Sequence, residues 1–150
     1  MWGIPLEGGK GMIQQLSVFV ENKPGSIMSV TSGLTEARIN IRAISCFDGP
    51  EFSILRLIVD QPEAAKEYLT GKGFVVRLHS VIGVELKDEQ GNLNRMLGIL
   101  AKGGISISYI YSFVIREDKA PVMVFNTDDY DKAEAYLREA GVKLIEEDDL

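Results

Sequence analysis

The chain repeats one pattern twice, and this repeat constrains its fold more than any other feature. Residues 22–27 read Asn-Lys-Pro-Gly-Ser-Ile, and residues 88–93, at an offset of 66, read Asp-Glu-Gln-Gly-Asn-Leu. The same offset aligns the apolar positions of residues 27–44 with apolar positions of the second copy. From Asp60 and Asp128 onward the offset is 68, so the second copy carries two extra residues between positions 110 and 128. A change confined to one connection is typical of loop-length variation between two copies of a fold.

Each copy is small for an independent domain. A unit of about 70 residues buries only about 60% of the surface that its unfolded chain exposes, so one copy alone is marginally stable. Packing of two copies, or of two chains, supplies the missing burial, and we therefore predict a homo-oligomer, in the simplest case a dimer. The predicted divisions are a flexible tail or added leader over residues 1–12, a first repeat over residues 13–80 and a second repeat over residues 81–150.

The charge balance argues against nucleic acid as a partner. The chain has 16 Lys and Arg against 22 Asp and Glu, giving a net charge of -6, whereas proteins that bind phosphate backbones present a clustered basic face. No apolar run approaches the roughly 20 residues that span a bilayer, so we predict no membrane association. Cys46 is the single cysteine. Without a disulfide the chain suits a reducing cytoplasm, and the pattern favours Cys46 as a small core residue over a nucleophile.

Apolar periodicity predicts the same six elements in each copy. Ser26 is placed to cap the first helix, and Pro62 suits the first turn of the second helix. The order strand, helix, strand, strand, helix, strand is that of ferredoxin-like domains, so we predict an α+β fold made of two βαββαβ repeats, with helices on one face of each antiparallel sheet. The predicted strands are residues 14–20, 39–47, 52–59, 74–78, 81–87, 105–114, 122–126 and 142–145, and the predicted helices are residues 26–38, 62–71, 93–102 and 131–140.

Nothing in the sequence predicts catalysis. His79 is the single histidine and lies in the two-residue joint between the copies, where a structural or surface role is favoured. One cysteine and one histidine cannot supply the ligand clusters of a zinc or iron-sulfur site. No nucleophile, base and orienting group can be assembled. We therefore predict no enzyme, no catalytic residue, no metal site and no cofactor. The acidic residues 146–149 are expected to form a solvated tail.

The loop after the first strand is the remaining candidate site. Pro24 stiffens it, Gly25 permits a tight backbone, and the helix that follows presents unpaired N–H groups, which is favourable for a carboxylate. Asn22 offers both a donor and an acceptor, which suits a zwitterion. A plain turn has the same composition, so spacing alone leaves both interpretations open.

The residues around this loop resemble the ACT domain, a small-molecule regulatory module. Its signature is an Asp or Asn, one residue, Pro-Gly, and later an Asn-Ile on the second strand; here residues 22–27 and residues 37–41 (Ala-Arg-Ile-Asn-Ile) match it. The match is fuller over residues 13–80 than over residues 81–146. The resemblance implies a tandem ACT protein with no attached enzyme, in which an amino acid binds where the loop of one copy meets the second strand of another. The implied positions in the first copy are Asn22, Pro24, Gly25, Ser26, Ile27, Asn40 and Ile41.

The second copy departs from this pattern. Gln90 stands at the proline position, and Ser106 replaces the Asn of the second strand. Asp88 pairs with a ligand ammonium group or is simply solvated, and the two interpretations have equal support. If the copies face each other through a pseudo-two-fold axis, each loop meets the other copy's second strand, giving two unequal sites. The implied positions in the second copy are Asp88, Gly91, Asn92, Leu93, Ser106 and Ile107.

The predicted function is that of a sensor. A small-molecule ligand, most simply an amino acid, would stabilise one packing of the repeats or subunits and change the association with a regulated protein partner, with a coupling of about 1 to 3 kcal/mol. The rival prediction is a structural dimerisation module without a ligand. A third is an enzyme that completes its site between subunits. Arg42 and Arg56 lie on apolar strands and mark an open sheet face or a contact, although solvated arginines are favoured.

Overall fold

The computed structural model describes residues 12–113 and 119–149. Most of the predicted tail therefore lies outside the described residues, as does residue 114 at the end of one predicted strand. Residue 12, assigned to the tail from the sequence, instead begins the first strand.

Seven strands and four helices are present in the described residues, in the order that the repeat predicts, which confirms the α+β class and the two ferredoxin-like repeats. One break was wrong: His79 and Ser80 do not separate two strands but lie inside a single one. The elements are β1 (Met12–Glu21), α1 (Ser26–Glu36), β2 (Ile41–Asp48), β3 (Phe52–Val59), α2 (Pro62–Gly71), β4 (Val75–Glu85), α3 (Asn92–Lys102), β5 (Ile107–Ser112), β6 (Val122–Thr127), α4 (Tyr130–Glu139) and β7 (Lys143–Ile145).

The first compact unit contains residues 14–79. Its strands follow the order β2-β3-β1-β4, with β1 antiparallel to β3 at Leu16 and Leu57. Leu16 and Val18 of β1 are buried against Val30 and Leu34 of α1, within one apolar cluster. Alternate strand residues enter this cluster because successive side chains point to opposite faces of a sheet. The helices therefore cover one face of this sheet.

The second compact unit contains the described residues from Ser80 onward together with Met12 and Ile13. Its strands repeat the same order as β7-β4-β6-β5, with β4 paired to both β6 and β7. Ile82, Phe125 and Leu137 are buried in a separate apolar cluster. Each unit thus has its own core.

Both second strands are shorter at their start than predicted, and both contain a β-bulge. The register with the neighbouring strand shifts at Arg42 in β2 and at Ser108 in β5. The residues before each strand leave the ladder because Asn40 donates its N–H to Asp60 at 3.0 Å, and Ser106 donates to Asp128 at 3.2 Å. A bulge turns side chains relative to a regular strand, so the repeat preserves even its irregularities.

Two further predictions were wrong. Ser26 does not cap α1, because Gly25 occupies the N-cap position and no side chain accepts there. Cys46 is exposed instead of buried, since β2 is the edge strand of its unit and has a neighbouring strand on one side only. The acidic end forms a 3-10 turn at Glu147–Asp149 with no buried residue, in which Glu146 donates its N–H to Asp149 at 2.9 Å. No helix in the described ranges has the length and apolarity that crossing a membrane requires.

Candidate functional site

The loop between β1 and α1 is held by three backbone hydrogen bonds. Lys23 donates to the carbonyl of Glu21 at 3.0 Å, Ser26 donates to Lys23 at 3.3 Å, and Ser29 donates to Gly25 at 2.9 Å. Gly25 has a φ of 83°, in the left-handed region that glycine adopts without steric cost. The loop thus ends at a glycine placed directly before the first turn of the helix.

The loop between β4 and α3 has the same backbone conformation. Glu89 donates to Lys87 at 2.8 Å, Asn92 donates to Glu89 at 3.2 Å, and Arg95 donates to Gly91 at 2.9 Å. These are the bonds of the first loop at an offset of 66, and Gly91 has a φ of 90°. The two loops therefore share one geometry, although the first has a proline where the second has Gln90.

The second and third residues of α1 and of α3 have backbone N–H groups that no described residue accepts from. The first turn of α1 contains no acidic residue and no side-chain cap, and the same is true of α3. The other two helices differ: α2 has Glu63 in its first turn, and the carboxylate of Asp129 caps α4 by accepting from Lys132. The unpaired N–H groups carry partial positive charge, so the two loops, and not the other helix starts, suit an anionic group.

The side chains of the two loops are used differently. The Asn22 amide nitrogen donates to Asp48 at 2.9 Å, and its backbone N–H donates to Glu51 at 3.3 Å, so Asn22 ties the loop to the β2–β3 hairpin. In the second loop the Asn92 amide nitrogen donates to the carbonyl of Lys87 at 2.9 Å. Asp88, at the position equivalent to Asn22, is exposed, and its carboxylate has no hydrogen bond or ion pair within the described residues.

The loop positions and the strand positions are not brought together within one repeat. Glu21, at the end of β1 before the first loop, pairs with Phe52, whereas Ile41 pairs with Val59 at the other end of β3. Seven residue steps at about 3.3 Å each separate these ends by about 23 Å. Ser106 and Ile107 lie at the corresponding far end of the second unit. The predicted loop residues and strand residues of one repeat therefore do not contact the same small molecule within that repeat.

A residue that the sequence did not single out as a ligand contact lies beside the strand positions. Arg42, the bulge residue that follows Asn40 and Ile41, is half-buried, and its Nε is buried with no hydrogen-bond partner in the described part of the chain. The prediction from the sequence that Arg42 is solvated is therefore wrong for its Nε. An unpaired buried donor is costly and is satisfied well by a carboxylate. In the second repeat the bulge residue, Ser108, instead accepts from the Asn126 amide at 2.7 Å.

His79 lies in a polar cluster on the sheet of the first unit. The amide nitrogen of Gln15 is 2.8 Å from Nε2 of His79, and the Ser17 hydroxyl is 3.4 Å from the same atom. With the Gln15 amide nitrogen as donor, Nε2 is the acceptor, as it is in one tautomer of the neutral ring. Burial, followed by the positive charges of Arg56 and Arg77, lowers the pKa of His79. This arrangement fits a structural role.

The two loops can recognise a ligand through hydrogen bonds and charge. Within residues 12–113 and 119–149, no three His, Cys, Asp or Glu side chains are grouped in a way that would hold a metal ion. The exposed apolar side chains of Ile27 and Leu93 stand beside the unpaired N–H groups at equivalent positions. Each loop therefore combines donors for an anion with a small apolar surface.

A family model described as an ACT domain pair matches residues 11–150, so the resemblance drawn from the loop and strand motifs is confirmed. The fold is also that of protein BT0572 from Bacteroides thetaiotaomicron, with a TM-score of 0.86 and 32% sequence identity over 93% of this chain and 96% of that one.

Regulatory subunits of aspartate kinase share the fold at lower identity. The ligand-free subunit from Thermus thermophilus has a TM-score of 0.60 and 20% identity, over 89% of this chain and 93% of that one. The subunit from Thermus flavus has a TM-score of 0.57 and 16% identity, over 88% and 94%. Such identities show a common fold alone. No curated protein matches the chain.

Proposed function

Because the chain belongs to the ACT domain pair family, we propose that it is a regulatory protein with no catalytic activity, and that it binds an amino acid or a similar small metabolite. Family membership supports a regulatory, ligand-binding role in general. The amino acid is inferred from one observation: both repeats present a helix start with unpaired N–H groups, no side-chain cap and no acidic residue in the first turn.

The carboxylate of an amino acid fits these helix starts. Negative charge is stabilised at the first turn of a helix, and the amides of Ile27 and Met28, or of Leu93 and Asn94, are available to donate. The ammonium group of the ligand finds an acceptor in the Asp88 carboxylate of the second loop. Charge-assisted hydrogen bonds of both kinds are stronger than neutral ones. A zwitterion therefore satisfies groups that the protein itself leaves unpaired.

The strand positions supply the second half of the site. We place Asn40, Ile41 and Arg42 of one repeat against the loop of a different repeat, in the same chain or in its dimer partner. The unpaired Nε of Arg42 makes the first repeat's strand the stronger carboxylate partner. Ser106 and Ile107 form the weaker counterpart, since the neighbouring Ser108 is already bonded to Asn126. Two sites of unequal affinity follow.

Regulation would work by linkage. A ligand that contacts two repeats favours the packing in which they are correctly placed, and it can shift such an equilibrium only by its difference in affinity for the two states, typically about 1 to 3 kcal/mol. In this proposal the protein is a cytoplasmic homodimer whose contact with a regulated protein partner depends on that packing.

A structural assembly module without a ligand is the second candidate. The observation in its favour is the bond from Asn22 to Asp48, because it shows the signature asparagine in use within the fold. The two functions differ in whether any small molecule stabilises the protein.

A thermal-shift screen against the twenty amino acids separates them. A ligand at about 100 times its dissociation constant stabilises the folded state by about 2.7 kcal/mol. At about 2–4 °C per kcal/mol for a chain of this size, the midpoint rises by about 5–11 °C. The methyl ester of the same amino acid is the matched control and should give little shift, because it lacks the carboxylate. No shift with any amino acid, or an equal shift with the ester, refutes the proposed ligand chemistry.

A further inference from the structure

The first unit exposes a group of apolar strand residues that its fold does not need. Within its described residues, three large apolar strand residues are more than half exposed: Phe47 at 56%, Phe52 at 57% and Val75 at 59%. Single exposed apolar residues are common, but a contiguous group of them marks an interaction surface. The positions of these three residues therefore matter.

All three lie on the sheet face opposite the helices, here called the open face, part of which, at Gln15, Ser17 and Ile58, is buried. Phe47 pairs with Ile54, and Ile54 with Phe19, so these side chains form one row across three strands. Phe52 and Val75 share this face by strand alternation, two residues from Ile54 and from Arg77 respectively. The Arg77 guanidinium lies over the ring of Phe19, 5.8 Å from its centroid. Arg77 of β4 therefore belongs to the same surface.

The second unit keeps one of these apolar residues, since Phe113 stands at the position of Phe47, and replaces the others. Glu85 stands where the first unit has Phe19, and Lys143 stands where it has Val75. These two residues are paired across β4 and β7 and form an ion pair at 3.5 Å. Ala120 replaces Phe52. Because the second unit builds the same sheet with charged or small residues at three of these positions, Phe19, Phe52 and Val75 are not required by the fold.

The charges around the row are separated along the strands. On the inner side, Arg56 stacks on Phe47 at 5.9 Å, and Arg77 lies beside it across the sheet. On the loop side are the carboxylates of Glu21 and Glu51, with Glu21 also 3.3 Å from Lys23. The open face is thus positive on one side of the apolar row and mainly acidic on the other.

We propose that the open face of the first unit is the docking surface for a second copy of this chain. A two-fold axis running along the apolar row places row against row and puts the Glu21 side of each copy over the arginine side of the other. Such a contact is isologous, as in most homodimers. A fully buried Phe removes about 150–250 Å² from water, so the exposed parts of the three side chains supply on the order of 300 Å² per copy. The charged flanks extend the contact toward the roughly 800 Å² per partner that stable interfaces bury.

Sedimentation velocity on the full chain without ligand tests this surface. The wild type should dimerise. Phe52→Ala with Val75→Lys gives the first unit the residues of the second and should weaken dimerisation at least tenfold. Leu97→Lys, which adds a lysine at an exposed apolar position on α3, is the matched control and should dimerise like the wild type. Circular dichroism verifies that each variant is folded.

A charge exchange tests the orientation. Arg77→Glu alone and Glu21→Arg alone should each weaken the dimer, because each opposes like charges, whereas the double variant should restore it by reversing both partners. A wild type that stays monomeric at about 100 µM, a double Phe52 and Val75 variant that dimerises normally, or a charge exchange without recovery overturns the proposal. Since the measurement uses no ligand, a failed amino-acid screen leaves it standing, and a monomer that binds an amino acid overturns it alone.

Discussion

A carboxylate built into the first turn of α1 should stabilise the protein and weaken ligand binding at the same time. Met28 is the third residue of this helix and is 70% exposed, so Met28→Glu disturbs no core contact. Its charge occupies the partial positive end of the helix and contributes about 0.3–1 kcal/mol. At about 2–4 °C per kcal/mol, the unliganded midpoint should rise by about 1–4 °C. Differential scanning fluorimetry measures this rise directly.

The ligand response should change in the opposite direction. The new carboxylate fills the position of the ligand carboxylate and repels it, so the stabilisation expected from a saturating amino acid should shrink. Met28→Gln has the same shape without the charge and should keep most of that shift. Asn94→Glu and Asn94→Gln repeat the comparison in the second loop. If both Glu variants bind the amino acid as tightly as the Gln variants, the helix starts do not hold the carboxylate.

Three further outcomes are expected. Asn22→Ala removes the bond to Asp48 and should lower the free energy of unfolding by about 0.5–1.5 kcal/mol in urea titration; an unchanged value would show that this bond is not part of the folded structure in solution. Gly25→Ala and Gly91→Ala should each cost about 1–2 kcal/mol by the same assay, because a Cβ is strained at positive φ; unequal losses would contradict the common loop geometry. The folded-state pKa of His79 lies below its ordinary value of 6.5, so its stabilisation is present above that pH and lost as the pH falls. The difference in thermal midpoint between pH 7 and pH 5 should therefore be smaller in His79→Asn, and an unchanged difference would mean that another group titrates.

The fold could be read largely from the repeat. Each copy supported the assignment of the other, and β3 was predicted with its observed bounds because its apolar residues are uninterrupted. The errors lie at positions whose structure is set by contacts between residues far apart in the sequence. The start of β2 depends on a carboxylate twenty residues away, Asp60, which takes the N–H of Asn40. The exposure of Cys46 depends on the place of β2 at the edge of its unit, which alternation along one strand cannot reveal.

The candidate site was only partly predictable. The loops were visible because a glycine before an apolar helical pattern is a local signal. Arg42 could not be predicted, because it is the extra residue of a bulge. In a sequence, a bulge shows only as a break in the alternation of apolar and polar residues. The bond between Asn22 and Asp48 joins residues 26 positions apart. Such a pair requires the folded hairpin before it can be recognised.

The identical backbones of the two loops have a consequence for how a duplicated protein diverges. With Gln90 in place of the proline, the second loop keeps the conformation that Pro24 and Gly25 have in the first copy. The backbone of the loop therefore does not require the proline, so this position can differ between the copies. Mutations at that position change the side chain that the loop presents and leave its backbone conformation intact. Two such loops in one chain let one copy retain an old ligand while the other explores a new one.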